Sequence, residues 1–354
     1  MPKIEQPGFN PGGHEDIFDA RDFKWSDIAG GFTSFDWTKG FDIEDKLTSV
    51  LGSPFVFENF DDKDQDGSFS CGGQAIGYYG AVKEALATKS FERRSARFLY
   101  SQVFIPGSGS RMRDVFDISI NQGFAKESVL TSYENGLPPS ETFMEKTSDI
   151  TLAVRNDAKL SQGLSYFYVD QTSIDSVAQA IEQNDGVILL LTGQNDTGTW
   201  LSEFPALTTR IDWRHFMYAG KAKMVNGKKT IIAKQSWGKA AGNKGWQCFP
   251  EEWFTSGNVL QVGALVYNNS GTPQFRHTFS VNMSLGQSGD EIKMLQKALR
   301  MDGEFTYPSD TGFYGEVTRA AVLAFQNKYK IPTSGTNGTV VGPLTRTQLN
   351  KLYS

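Results

Sequence analysis

Of the two cysteines in this 354-residue chain, Cys71 has the more suggestive surroundings. It stands in Gln65-Asp-Gly-Ser-Phe-Ser-Cys71-Gly-Gly-Gln-Ala, directly before a stretch that reads as a helix. A thiol at a helix N-terminus feels the positive end of the dipole, which favours the nucleophilic thiolate. Gly67, Gly72 and Gly73 leave the backbone free to turn sharply and to approach a substrate closely. The same pattern also suits a small buried residue in a turn. The histidines are His14, His215 and His277. His215, in Asp212-Trp-Arg-His215-Phe-Met-Tyr, opens an expected strand, where a lone histidine is ordinarily structural. Twenty residues on comes Gln235-Ser236-Trp237-Gly238 at the end of another strand. An amide there can accept from an imidazole and fix its tautomer, which would complete a nucleophile, base and orienter. Cys248, in Trp246-Gln-Cys-Phe, reads as a buried thiol.

Two other signals lead nowhere. Asp62-Lys-Asp64-Gln-Asp66-Gly67 imitates the start of a calcium loop, but its twelfth position is Gly73, where a bidentate glutamate is needed. The acids read instead as a solvated loop. No His/Cys spacing supports zinc. We expect no metal and no cofactor.

The elements that must position these residues are mixed. Cys71–Lys89, Arg94–Val103, Ser110–Gln122 and Ser173–Asn184 read as helices, the last capped by Ser173 or Asp175. Gly186–Leu191, Tyr218–Lys223, Thr230–Lys234 and Val259–Val266 read as strands. Helices early and strands late indicate an α+β class. With 39% apolar residues and 21% charged, the chain has the composition of a folded, core-forming protein. A net charge of −5 argues against a nucleic-acid partner. Apolar runs such as Val187–Leu191 are far too short for a membrane span. No apolar signal segment is visible in Met1–Gly12. Two cysteines provide no disulfide framework.

Near residue 268 the composition turns Asn-, Ser-, Gly- and Thr-rich, as in a linker. From Met283 onward the chain carries eight basic and six acidic residues, against a net acidic remainder. Three apolar repeats follow at helical spacing: Ile292/Leu295/Leu299, Val317/Ala321/Ala324/Phe325 and Leu344/Leu349/Leu352. They predict three short helices in a small bundle.

The order Gln65, Cys71, His215, Gln235-Ser-Trp-Gly resembles the papain-like cysteine peptidases, over about residues 30–267. The 144 residues from Cys71 to His215 fall within that family's spacing. Phe35-Asp36-Trp37, Lys234-Gln-Ser-Trp-Gly and Asn243-Lys-Gly-Trp246 resemble further family motifs. The resemblance implies a two-lobed fold, one lobe helical and one β-barrel-like. It implies Cys71 as nucleophile, His215 as base, Gln235 as orienter and Gln65 in the oxyanion hole. Trp237 would shield the pair, with Ser236, Gly72 and Gly73 as support. The departures are Ser68 for a disulfide cysteine, Phe69 for a glycine, Gly72 for an aromatic and Gln235 for the family's asparagine. The family's long inhibitory pro-segment is expected to be missing, because only about 34 residues precede Phe35.

Gly289–Leu299, Gly312–Gln326 and Gly342–Leu349 resemble the peptidoglycan-binding domain 1 family over about residues 284–353. Its turn residues and polar faces would meet the wall, and the candidates are Gly312, Tyr314, Gly315, Thr318 and Gln326. The expected layout is therefore an extension at 1–33, a peptidase domain at 34–267, a linker at 268–283 and a wall-binding domain at 284–354. The implied function is cysteine peptidase action at the bacterial cell wall, on peptidoglycan peptides or surface proteins. The partners would be peptidoglycan and a peptide or protein substrate. The chain would be made in the cytoplasm and act after release, as an endolysin, or within a phage virion. The alternative is a papain-fold binding or structural protein with impaired catalysis.

Overall fold

The structure is a computed structural model that describes residues 12–16, 34–159, 164–195, 199–267, 277–302, 304–305, 310–333 and 335–353. The chain divides into two compact units, one of Met1–Asp16 with Lys24–Thr272, the other of Ile17–Phe23 with Pro273–Ser354. The strands are β1 (Gly13–His14), β2 (Phe41–Asp42), β3 (Ser110–Arg111), β4 (Leu164–Val169), β5 (Val187–Gly193) and β6 (Trp213–Val225). They continue with β7 (Lys228–Lys234), β8 (Trp246–Pro250), β9 (Val259–Tyr267), β10 (Met283–Ser284) and β11 (Val340–Val341).

In the first unit the order β4-β9-β5-β6-β7-β8 forms an antiparallel sheet, and β2 adds to β6. The sheet is open, with β4 and β8 at its edges, so the expected barrel-like lobe is not a closed barrel. β5 reads Val-Ile-Leu-Leu-Leu-Thr-Gly and is buried throughout, as a central strand covered on both faces must be. The helix Cys71–Thr88 packs on this sheet, and Ala75, Ile76 and Tyr79 share one core with Ile188, Leu190, Phe216 and Tyr218. Its glycines permit close approach. A Cβ at Gly80 would stand 2.4 Å from the Phe124 ring, and one at Gly73 2.6 Å from the Ala96 carbonyl oxygen.

Several local expectations shift. The helix expected over Arg94–Val103 is only Ala96–Tyr100, because Ser95 caps it, accepting from the Phe98 amide at 3.1 Å. Ser110 and Arg111 pair with Gly13 and His14 as parallel strands, so the next helix begins at Met112. Ser173, not Asp175, caps Ile174–Asn184. Asp175 instead accepts from the Trp37 indole at 2.6 Å and pairs with Lys229.

The second unit contains helices Asp290–Met301, Glu316–Lys328 and Pro343–Tyr353, clipped by the antiparallel pair β10–β11. Leu295, Leu299, Tyr314, Val322, Phe325 and Leu349 form its core. Phe279 and Met283 belong to that core too, at 1% and 2% exposure. Residues 277–283 are therefore part of this unit and not linker, because Phe279 supplies apolar area and His277 donates its backbone N–H to Tyr353. Residues 268–276 lie outside the described residues.

Candidate active site

Cys71 is the first residue of its helix, and His215 is the third of β6, well inside a strand longer than expected. Continuing the antiparallel pairing Tyr218↔Lys234 by three residues sets Trp237 across from His215. The rings do stack, with centroids 4.2 Å apart and planes at 26°. Gln235 then falls on the same face, diagonal to His215, within reach of a long side chain. The sulfur of Cys71 and the backbone amide of Phe216, next to His215, interact. Tertiary folding thus joins residues 144 positions apart.

Every polar side chain of the candidate set is buried, and each has an identifiable brace. Gln65 is held by Ser236, whose hydroxyl donates to Gln65 Oε1 at 2.6 Å, and by its own Nε2 donating to the Ser68 carbonyl at 3.0 Å. Ser68, where the family has a cysteine, donates to the Gln65 carbonyl at 2.8 Å. Gln235 Nε2 donates to Gln247 Oε1 at 3.1 Å. Gln247 in turn donates to the carbonyls of Trp200 and Ser202. This arrangement aims Gln235 Oε1 toward the imidazole. Neither His215 nitrogen nor Gln235 Oε1 makes a hydrogen bond of ordinary geometry, yet Gln235 still favours the protonated ring. At Gly72, where the family has an aromatic, a Cβ would stand 2.4 Å from Ser110 Oγ, and the Phe216 ring lies alongside. Sequence reasoning missed Gln247 and also Trp200 and Trp213, whose rings pack edge-on to Trp237 with centroids at 6.2 and 6.0 Å. The only signal for Gln247 was its place in Trp246-Gln-Cys-Phe, an alternating strand. The acidic run is less solvated than expected, since Asp64 bridges to Trp237 and Asp62 and Asp64 are half-buried, with Asp66 exposed.

Cys71 and His215 have no exposed surface. Against Cys71 and the strand that carries His215 lies a short extended segment, Gly12–Asp16, from the expected N-terminal extension. The expectation concerned a long pro-domain; what lies here is five described residues of the extension. The Gly12 carbonyl accepts from the Ser110 amide at 2.9 Å, and the Gly12 amide lies against the Cys71 sulfur. His14 Nε2 contacts the Ser108 carbonyl at 2.8 Å, and Glu15 pairs with Arg214 at 3.0 Å. Asp16 accepts from the Arg113 amide at 3.1 Å and from the Tyr168 hydroxyl at 2.6 Å.

The electrostatics follow from this cover. Burial pushes the Cys71 thiol up to about 11, against the opposing pull of the Phe216, Gly12 and Gly72 amides. Burial pushes His215 down to about 3, against Gln235. The pair is thiol and neutral imidazole while covered. The thiolate expected at this helix start is therefore not the covered state, because desolvation outweighs the dipole. Among the described residues no group of three or more His, Cys, Asp or Glu could hold a metal ion, and no helix is long and apolar enough to cross a membrane.

In the second unit the wall-binding candidates are placed differently from expectation. Tyr314, Thr318 and Gln326 are buried at 0%, 2% and 2% exposure. Tyr314 donates to the Gly338 carbonyl at 2.7 Å, and Gln326 donates to the Val340 carbonyl and Thr345. Thr318 receives the Gln296 amide at 2.9 Å, and buried Gly312 turns at φ +70° with its N–H on Gln296 Oε1. These residues are inside because they saturate turn backbone, so their side chains offer no surface to a wall. Gly315 is half-buried. Among the described residues of this unit the exposed large apolar groups are Val281, Leu285, Phe313, Val317, Leu344 and Leu352.

Residues 288–349 match the family described as "Putative peptidoglycan binding domain". No curated protein matches the chain in sequence. Among solved structures, xylellain, a cysteine protease from Xylella fastidiosa, is 17% identical with a TM-score of 0.56, covering 75% of this chain and 98% of its own. Bromelain from Ananas comosus, in complex with the E64 inhibitor, is 15% identical with a TM-score of 0.49, covering 64% and 98%. The proform of the ragweed pollen allergen Amb a 11, a cysteine protease, is 17% identical with a TM-score of 0.49, covering 68% of each chain. The chain thus combines a papain-like cysteine protease fold with a C-terminal peptidoglycan-binding domain.

Proposed function

We propose that this chain is a cell-wall-associated cysteine peptidase. The observation that carries the reading is the meeting of Cys71, at a helix N-terminus, with β6 beside His215, under the Trp237 ring. The peptidoglycan-binding match supports the wall as its place of action, since a tether raises the local concentration of enzyme at its polymer.

Substrate reaches Cys71 once Gly12–Asp16 has left. Water then enters, the thiol pKa falls, and the proton passes to His215. The thiolate adds to an amide carbonyl carbon, and the oxyanion is held by the Cys71 amide and the Gln65 side chain. The C–N bond breaks as His215 returns its proton to the leaving amine. Water, deprotonated by His215, then hydrolyses the thioester and frees Cys71. Gln235, held by Gln247, orients His215 as asparagine would. Delivery to the wall by cell lysis, as for an endolysin, or within a phage particle is part of the same proposal.

The test is mass spectrometry of products from purified cell wall and from a protein substrate, using the full chain with Asp16→Ala to loosen the cover. Products that disappear with Cys71→Ala support the reading. If neither substrate is cut by a folded Asp16→Ala chain, the binding-protein alternative replaces it.

A further inference from the structure

The covering segment passes Cys71 with two glycines, the first where backbone leaves no room for a side chain and the second where a Cβ fits only if the Leu190 side chain moves. A Cβ on Gly12 would stand 2.0 Å from the Phe69 carbonyl oxygen and 2.7 Å from Phe69 Cβ. Phe69 cannot yield by a rotamer change, since the clash is with backbone whose amide is tied to Glu141 at 2.7 Å. The opposite wall is Gly109, at φ +109°, where a Cβ would stand 1.8 Å from the Gly12 carbonyl oxygen. A Cβ on Gly13 would stand 2.5 Å from Leu190 Cδ1, in a fully buried strand, and 3.4 Å from the Arg214 carbonyl. Beyond the pair the path widens, and His14, Glu15 and Asp16 all carry side chains. The Gly12 amide is the group of this segment that interacts with the sulfur.

We propose that the cleft beside Cys71 selects peptides with two consecutive glycines in extended conformation, and that Phe69, Gly109 and Leu190 impose the restriction. It rests on the peptidase reading and names its substrate class. Such a peptide could be a glycine bridge of a cell wall or a glycine pair within a protein.

The experiment uses the full chain carrying Asp16→Ala, which removes the anchor, with Gly12→Ala as a second variant that forces the segment out. Each should raise iodoacetamide labelling of Cys71 at least tenfold, with Cys248 as internal reference. Added peptides then compete for the vacated cleft. Acetyl-Gly-Gly-His-Glu-Asp and pentaglycine should protect Cys71 at concentrations at least tenfold lower than acetyl-Ala-Ala-His-Glu-Asp. Stronger protection by pentaglycine assigns the wall bridge, and stronger protection by acetyl-Gly-Gly-His-Glu-Asp assigns protein segments. Leu190→Val should narrow the gap between acetyl-Gly-Ala-His-Glu-Asp and acetyl-Gly-Gly-His-Glu-Asp at least threefold, and an unchanged gap removes Leu190 from the restriction. Equal protection by glycine and alanine peptides, or unchanged labelling in both folded variants, overturns the inference. Equal cleavage of both peptides also overturns it and leaves the peptidase reading standing. Selective protection without cleavage keeps the inference and sinks the peptidase reading.

Discussion

Both units bury polar side chains from recognisable motifs, yet Gln296 and Gln235 use theirs oppositely. In the second unit Gln296 bonds through both ends, donating to Phe313 and Thr318 and accepting from Gly312. It fastens a turn to a helix and has nothing left to offer a ligand. In the first unit the His215 nitrogens and Gln235 Oε1 are buried without a bond of ordinary geometry, while Gln247 braces Gln235 from behind. Leaving buried polar atoms unpaired is costly, about 1–3 kcal/mol each, and stable packing alone gives no reason for it. The lesson is that a motif residue's role is read from how its hydrogen bonds are spent. A conspicuous glutamine in one unit is a fastener, and in the other it is poised toward a base.

The comparison breaks most visibly at the nucleophile. Cys71→Ala should lower hydrolysis by roughly 10³-fold or more, with the fold intact by circular dichroism. Gln296→Ala should leave cleavage of a small soluble peptide unchanged. Retained activity in the first variant would remove the chemical asymmetry between the units.

Acid should separate the two units next. The folded pKa of His215 is about 3, below its ordinary 6.5, because burial disfavours the charged ring. Its contribution to stability is therefore fully present above about pH 6.5 and lost as pH falls toward 3, by several kcal/mol. The urea midpoint of the first unit's transition should drop between pH 7 and 4, and His215→Asn should flatten that dependence. A midpoint equally pH-sensitive in that variant assigns the effect elsewhere.

Gln235→Ala should lower kcat roughly 10²-fold with a smaller change in KM, since an unoriented imidazole is a poorer proton carrier. Gln247→Ala should act in the same sense more weakly, because it frees Gln235 without deleting it. If Gln247→Ala lowers stability and leaves kcat untouched, the brace is structural like those of the second unit. The smallest effect expected is on stability alone. Gln296→Ala should cost the second unit about 2 kcal/mol by orphaning the Gly312 amide and its neighbours, measured by thermal unfolding. Phe313→Ala, at an exposed site, should change stability by less than about 0.5 kcal/mol and weaken sedimentation with purified walls.

The sequence by itself determined the α+β class, the candidate nucleophile and base, and the helical repeats of the small unit. Each of these depends on local spacing: Ser-Cys-Gly-Gly before a helix, Gln-Ser-Trp-Gly after a strand, apolar residues every three or four positions. It also supported Gln65, whose neighbours Ser68 and Ser236 turned out to hold it. Only the tertiary structure decided the rest. That the sheet stays open, that Gln247 braces Gln235, and that Tyr314, Thr318 and Gln326 face inward all depend on which distant strands and turns meet. Least legible was the role of Gly12-Gly13. In the sequence two glycines are no more than a flexible stretch. They gain meaning from Phe69, Gly109 and Leu190, which lie 57, 97 and 178 positions from Gly12 and leave room for backbone and nothing more. Such steric exclusion has no local signature, because it is set by the walls and not by the residue that passes between them.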